Sequence, residues 1–125
     1  MRVVYDAGAL IAADRHDREI WADHLERLAA GRRPITTAPV VAQVSRSPRQ
    51  VLLQRFLRGC EIVPFDPSEA SAVGALVAKS GVTDVVDVHL VSVAHRRGLT
   101  VLTSDPDDLT RVSQALRPRV RIKPL

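Results

Sequence analysis

The sequence predicts an α/β fold in which a mostly parallel central sheet is flanked by helices. Five short apolar runs have the composition of buried strands, and longer segments with helical periodicity separate them. Strands that alternate with helices pair in parallel and are covered by helices on both faces. The length of 125 residues suits one domain with its own core, spanning 1–125. The predicted strands are Val3–Tyr5, Ile35–Thr37, 62–65, 99–103 and 120–122.

Start and stop signals divide the remaining chain into seven helices. Ser47 followed by Pro48 is an N-cap with proline at the first helical position, and Asp66 with Glu69 resembles a capping box. Gly98 is placed to end the helix before the fourth strand. The predicted helices span residues 6–13, 16–30, 39–46, 47–58, 66–79 and 84–97, and a last helix begins at 105.

The charge balance favours a polyanionic partner. The chain has a net charge of +4, and sixteen of its eighteen basic residues are arginine, which pairs bidentately with phosphate. A GC-rich genome would also enrich arginine, and that bias is an equally good explanation of the arginine excess. Aromatic residues make up only 3% of the chain, so we expect recognition of phosphates rather than extensive base stacking.

Several classes of protein are disfavoured by composition. The single cysteine, Cys60, excludes an internal disulfide and a cysteine zinc site, and its apolar neighbours indicate core packing. No apolar run approaches the ~18–20 residues of a membrane span. The first residues lead directly into a strand and do not resemble a signal peptide, so we expect a cytoplasmic protein.

Four aspartates stand where strands and helices meet. Asp6 and Asp105 each follow a predicted strand, and Asp84 and Asp87 open a predicted helix three residues apart, on one face. Ligand sites of parallel sheets lie beyond the carboxyl ends of the strands. If the first and fourth strands are neighbours, these carboxylates share one crevice. Carboxylates without cysteine or a histidine cluster indicate Mg²⁺ or Mn²⁺.

Each of these aspartates also has a structural explanation. Asp6, Asp84 and Asp105 could each cap the helix that follows, and Asp87 would be favoured in a first helical turn by the helix dipole. Taken together they are harder to explain this way, because Asp87 lies among valines and leucine, where a buried acid needs compensation.

Three segments resemble a known family. Residues 3–11, 83–90 and 102–109, which carry the four aspartates, are similar in sequence and order to PIN-domain ribonucleases, and more narrowly to the VapC toxins of VapBC toxin–antitoxin pairs. The resemblance covers essentially the whole chain. It implies a three-layer sandwich with a parallel sheet, metal-dependent cleavage of RNA, a homodimer and a cognate antitoxin.

The resemblance assigns roles to individual residues. Asp6, Asp87 and Asp105 match the family's metal-binding acids, and Asp84 is similar to an auxiliary acid one turn earlier. Where the family usually has a glutamate, this chain has Gln43, which adds no negative charge. The site would then bind metal more weakly, use one ion rather than two, rely on Asp84, or be inactive; alternatively, Gln43 is a solvent-facing helix residue.

The implied reaction is in-line attack of a metal-activated water on an RNA phosphate. Thr103 and Ser104 could support the metal ligands by hydrogen bonding, although strand-end polarity explains them as well. Arg46 and Arg49 are candidates for phosphate contacts, and a solvated helix face explains them nearly as well.

Three functions compete at this point. The first is a Mg²⁺-dependent (or Mn²⁺-dependent) endoribonuclease toxin, and the second is a non-catalytic PIN-like module that binds RNA or protein. The third, a phospho-aspartyl enzyme or receiver domain, is disfavoured because Asp6 is not followed by a second acid and the only lysines are Lys79 and Lys123. Among the histidines, His24 lies on a helical core stripe and is expected to be packed rather than catalytic.

Overall fold

The computed structural model describes residues 1–125 and contains a five-stranded sheet in which every pair of neighbouring strands is parallel. The order across the sheet is β3-β2-β1-β4-β5. The predicted parallel α/β fold is therefore confirmed. The strands are β1 Val3–Tyr5, β2 Ile35–Thr37, β3 Glu61–Val63, β4 Thr100–Thr103 and β5 Ile122–Pro124.

Seven helices surround the sheet. They are α1 Ala7–Asp14, α2 Arg18–Ala29, α3 Ala38–Val44, α4 Val51–Arg58, α5 Pro67–Ser80, α6 Val85–Arg97 and α7 Asp107–Gln114. Helix α1 packs against α2, α3 and α4, whereas α5, α6 and α7 pack against one another. The predicted cap of α5 is confirmed, because the Asp66 carboxylate accepts a hydrogen bond from the Glu69 amide at 3.0 Å. None of the seven helices has both the length and the apolar composition to cross a membrane.

The predicted start of α4 is wrong by three residues, because Pro48 was expected at the first helical position and the N-cap is Gln50 rather than Ser47. The helix begins at Val51, and Ser47 does not cap it. Instead the Gln50 side-chain oxygen accepts hydrogen bonds from the amides of Arg46 and Ser47, at 2.7 and 3.0 Å. Gln50 therefore closes a separate turn before the helix, which the serine–proline pair alone did not indicate.

Two boundaries near the C-terminus also lie later than predicted. Helix α7 begins at Asp107 rather than Asp105. Strand β5 begins at Ile122, because Val120 is engaged elsewhere: its amide donates to the Ser113 hydroxyl, which in turn donates to the Val120 carbonyl, both at 2.8 Å. A side chain of α7 thus takes the backbone groups that strand pairing would have used.

An aromatic cluster anchors β1 to the helices on one face. The Tyr5 hydroxyl hydrogen-bonds His24 Nδ1 at 2.9 Å, and the His24 ring stacks on Phe56 with centroids 3.8 Å apart. Trp21 meets both rings edge-on, and its indole N–H donates to the Ala13 carbonyl at 3.0 Å. Burial raises the pKa of Tyr5 and lowers that of His24. The prediction that His24 is packed is confirmed.

A buried ionic cluster joins α5 to α6. Glu69 is only 6% exposed, and Arg96 donates to its Oε1 atom. His89 is fully buried with its Nε2 atom 3.6 Å from Glu69 Oε2, and burial lowers the pKa of this imidazole. The arginine is therefore the group that compensates the buried carboxylate. Cys60 is buried as predicted, and burial raises the pKa of its thiol to about 12.

Candidate active site

The acidic residues lie at the carboxyl edge of the sheet, where the strand order reverses. Strand β1 lies between β2 and β4, with Tyr5 opposite Leu102. The Asp6 amide extends this pairing by donating to the Leu102 carbonyl at 3.0 Å. A crevice opens at such a reversal because the connections leave the two strands in opposite directions. Strands β1 and β4 are neighbours, which is the condition stated above for Asp6 and Asp105 to share one crevice.

The Thr103 hydroxyl connects the ends of the two strands. It donates to Asp6 Oδ2 at 2.7 Å and accepts from the Asp105 amide at 2.9 Å. Asp6 is 8% exposed, occupies the position before α1 and makes no capping hydrogen bond with its side chain. Asp105 is exposed and lies outside α7, so its side chain does not cap that helix either. The capping explanation therefore fails for both aspartates.

Asp84 caps α6 and at the same time lies close to Asp87. Its Oδ1 atom accepts from the amides of Val86 and Asp87, at 3.0 and 3.1 Å. The structural explanation for Asp84 therefore applies. It does not exclude a second role, because these bonds occupy only one of the two carboxylate oxygens.

The carboxyl group of Asp87 has the most strongly shifted pKa in the site. Burial, together with the negative charges of the surrounding aspartates, raises the pKa of this carboxyl to about 7. No hydrogen-bond donor of the chain is bonded to its side chain. The aspartates that act on it are, in order of effect, Asp84, Asp6, Asp108 and Asp105.

Two residues of this site were not assigned to it from the sequence. Asp108 was not singled out in the sequence, yet its charge acts on Asp87. Gly8 allows α1 to approach the loop after β4: a Cβ atom there would lie 2.9 Å from Ser104 Cβ and 3.3 Å from the Ser104 amide nitrogen. The effect of Asp108 depends on where α7 packs, and the close approach at Gly8 depends on where α1 packs. No local sequence signal reveals either.

The chemistry of these groups fits a hydrated divalent cation. The donors are carboxylate oxygens, which Mg²⁺ and Mn²⁺ prefer, and several negative charges face one another around Asp87. No group of three or more histidine, cysteine, aspartate or glutamate side chains is close enough to hold an ion directly. Were an ion to bind here, Asp6, Asp87 and Asp105 would hold it partly through its water ligands, which Mg²⁺ retains readily.

The remaining candidates lie on and after α3. Gln43 is exposed near the end of α3, and its side chain makes no hydrogen bond within the chain. The Arg46 guanidinium donates to the carbonyls of Ala42 and Ser45, at 3.3 and 3.0 Å. Arg49 is exposed. Helix α3 packs against α1 and α6, the two helices that begin at the acidic crevice.

Residues 3–115 match the sequence model of the PIN domain family, and the chain therefore belongs to that family. The resemblance that the three acidic segments indicated is confirmed at the level of the PIN domain family. A comparison with curated proteins found no match.

Solved structures with the same fold include three of low sequence identity. VapBC2 from Rickettsia felis, bound to a DNA fragment from their promoter, has a chain that is 21% identical, with a TM-score of 0.74, covering 100% of this chain and 99% of that one. PAE2754 from Pyrobaculum aerophilum is 16% identical, with a TM-score of 0.63 and coverage of 97% and 83%. FitAB bound to the IR36 DNA fragment is 17% identical, with a TM-score of 0.66 and coverage of 98% and 94%.

Proposed function

We propose that this protein is a metal-dependent endoribonuclease of the VapC type. The single observation that carries the proposal is the arrangement of carboxylates around Asp87 at the strand-order reversal of a PIN domain. PIN domains are generally nucleases. The proposal takes residues 1–125 as one such domain, with RNA as the substrate and Mg²⁺ or Mn²⁺ as the cofactor.

The aspartates divide the work of the reaction in this proposal. Asp6, Asp87 and Asp105 hold the ion, and the Thr103 hydroxyl fixes the orientation of the Asp6 carboxylate. A bound ion would supply a lower pKa for the attacking water and positive charge to balance the charge that develops on the phosphate. The free oxygen of Asp84 orients that water for in-line attack, and Arg46 and Arg49 contact flanking phosphates.

The electrostatics of the site support a requirement for an ion. Without a cation, the aspartates around Asp87 would repel an RNA phosphate. A divalent ion held there would offset part of this negative charge and would favour the ionised form of Asp87. Metal binding and substrate binding are therefore expected to be coupled.

A non-catalytic PIN-like module that binds RNA or protein is the second candidate. Gln43 favours it, because it stands where the family usually has a glutamate and it supplies no negative charge. Its exposure and lack of hydrogen bonds agree with the alternative that it is a solvent-facing helix residue.

Cleavage of a mixture of structured RNAs tests the two functions against each other. The purified protein would be assayed with Mg²⁺, Mn²⁺ or EDTA, beside Asp87→Asn and the control Asp107→Asn. Asp107 is exposed on α7 and is not among the aspartates that act on Asp87. We expect cleavage that requires metal, is lost in Asp87→Asn and is retained in Asp107→Asn.

Absence of cleavage by a folded sample would contradict the catalytic proposal for this RNA mixture. Gln43→Glu then separates a disabled site from an unsuitable substrate. Cleavage that appears in Gln43→Glu, still requiring metal, would show that the glutamine had weakened the site.

The partners form the last part of the proposal. Structures with this fold include the toxin–antitoxin assemblies VapBC2 and FitAB. We expect this chain to act in the cytoplasm as a homodimer that a cognate antitoxin neutralises. Expression of the chain alone should arrest growth, and expression of Asp87→Asn should not.

A further inference from the structure

The two edges of the sheet carry opposite charge. The carboxyl edge holds the aspartates around Asp87, whereas exposed arginines gather at the amino edge, where strands begin and α6 ends. The strands are three or four residues long, so the two edges lie only ~10–13 Å apart. We define the basic edge as Arg2, Arg33, Arg97, Arg119 and Arg121.

Contacts within the structure show that three of these arginines, Arg2, Arg33 and Arg97, lie next to one another. Arg2 and Arg97 contact the two oxygens of the same carboxylate, Glu61, at 3.9 and 2.6 Å. Arg2 also donates to the Arg33 carbonyl at 3.4 Å. Glu61 is the only carboxylate paired with this set, so five arginines leave four net positive charges at the edge.

The sheet itself extends the row to Arg121. The Thr100 amide donates to the Arg2 carbonyl at 3.2 Å, and the Val101 amide donates to the Arg121 carbonyl at 2.9 Å. Arg2 and Arg121 therefore stand on either side of the start of β4. Because neighbouring strands are ~4.8 Å apart, the two backbones are separated by about two strand spacings.

A cavity of about 220 Å³ lies between α6 and the segment before β5. It is lined by His95, Gly98, Leu99 and Thr100, and by Arg119 and Arg121. Both arginines are exposed, and their side chains make no hydrogen bond or ion pair within the chain, so their guanidinium groups are free to bind an anion. The helix dipole explains cations in the last turn of α6 but not these two, which lie outside any helix.

We propose that the basic edge is a second contact surface for the RNA strand, which binds its phosphates through Arg119, Arg121 and their neighbours while the acidic edge holds the reacting phosphate. This inference rests on the proposed function and names where the substrate gains affinity. An RNA strand is the occupant that the observations favour, because the edge carries four net positive charges and its guanidinium groups suit the repeated phosphates of a nucleic acid.

The test measures binding without catalysis. A fluorescently labelled single-stranded RNA of about thirty nucleotides would be titrated in EDTA, at several salt concentrations, with wild type and Arg119→Gln/Arg121→Gln. Each lost phosphate contact lowers the salt dependence by about 0.7–1 in slope, so we expect a decrease of about 1–2 and roughly tenfold weaker binding at low salt. Arg119→Lys/Arg121→Lys should retain most of the binding, since the charge is kept.

The control changes the same number of charges elsewhere. Arg15 and Arg18 are exposed at the junction of α1 and α2, and their side chains make no hydrogen bond. Arg15→Gln/Arg18→Gln has the same net charge as the test variant. Equal loss in both variants, or no loss in the test variant, would overturn the inference. The inference would also be overturned if polyglutamate displaced the labelled RNA as effectively as unlabelled RNA does. Failure of the cleavage assay would not affect this result, because binding is measured in EDTA.

Discussion

Replacement of Asp87 by asparagine should stabilise the metal-free protein above neutral pH. Burial and the surrounding aspartates raise the pKa of this carboxyl from 3.8 to about 7 in the folded chain. Between these values the unfolded chain has released the proton and the folded chain has kept it. The free energy of unfolding therefore falls as the pH rises through this window and stays low above it.

The magnitude follows from the same shift. Three pKa units correspond to about 4 kcal/mol, and solvent screening of a half-buried group reduces this to about 1–2 kcal/mol. For a chain of 125 residues, this gain raises Tm by about 4–8 °C. At pH 4 the carboxyl is protonated in the folded state, and the difference between wild type and variant should largely disappear.

Thermal and urea unfolding of wild type, Asp87→Asn and Asp107→Asn at pH 4, 6 and 8 would measure this, with EDTA present throughout. Adding Mg²⁺ at pH 8 should then raise the Tm of wild type more than that of Asp87→Asn, because binding to the folded state alone is stabilising. An Asp87→Asn variant no more stable at pH 8 than Asp107→Asn, or a gain that does not change with pH, would refute the reasoning.

Three further substitutions test contacts elsewhere in the structure. Gly8→Ala should cost about 1–3 kcal/mol in urea unfolding because the added Cβ meets Ser104. Gly74→Ala, with open space around it, should be neutral or stabilising. Equal effects of the two substitutions would contradict this account. Thr103→Val should lower Mg²⁺ affinity about 10–100-fold in calorimetric titration. The control Thr36→Val loses a buried hydroxyl that donates to the Tyr5 carbonyl, and it should lower stability without changing Mg²⁺ affinity. Arg96→Met leaves the buried Glu69 carboxylate uncompensated and should cost about 1–3 kcal/mol in urea unfolding.

The sheet could be predicted from the sequence because short apolar runs and amphipathic segments alternate along the chain. The order of the strands could not, because runs of three or four residues carry no information on their neighbours. The shared crevice of Asp6 and Asp105 therefore stayed conditional until β1 and β4 were found side by side. Local capping signals worked where one residue decides the outcome, as at Asp66, and failed at Ser47, where the longer Gln50 side chain closes the turn.

The site itself was predicted as a set of residue types rather than as a geometry. The aspartates of the three family-like segments were recognisable in sequence, and the charge acting on Asp87 agrees with their convergence. Asp108 was missed because its first-turn position has an ordinary explanation, and only the orientation of α7 brings its charge to bear on Asp87. Gly8 was missed because its importance depends on how closely Ser104 approaches it.

The position of the only tryptophan gives the protein a natural optical reporter. Trp21 touches the rings of His24 and Phe56, and its indole is bonded to Ala13 of α1, the helix that begins directly after Asp6. Its emission wavelength and quenching by the neighbouring imidazole should change when this helix shifts or when the cluster opens. Intrinsic fluorescence can therefore follow ligand-induced movement beside the acidic crevice in the unmodified chain, without a label that would disturb either edge of the sheet.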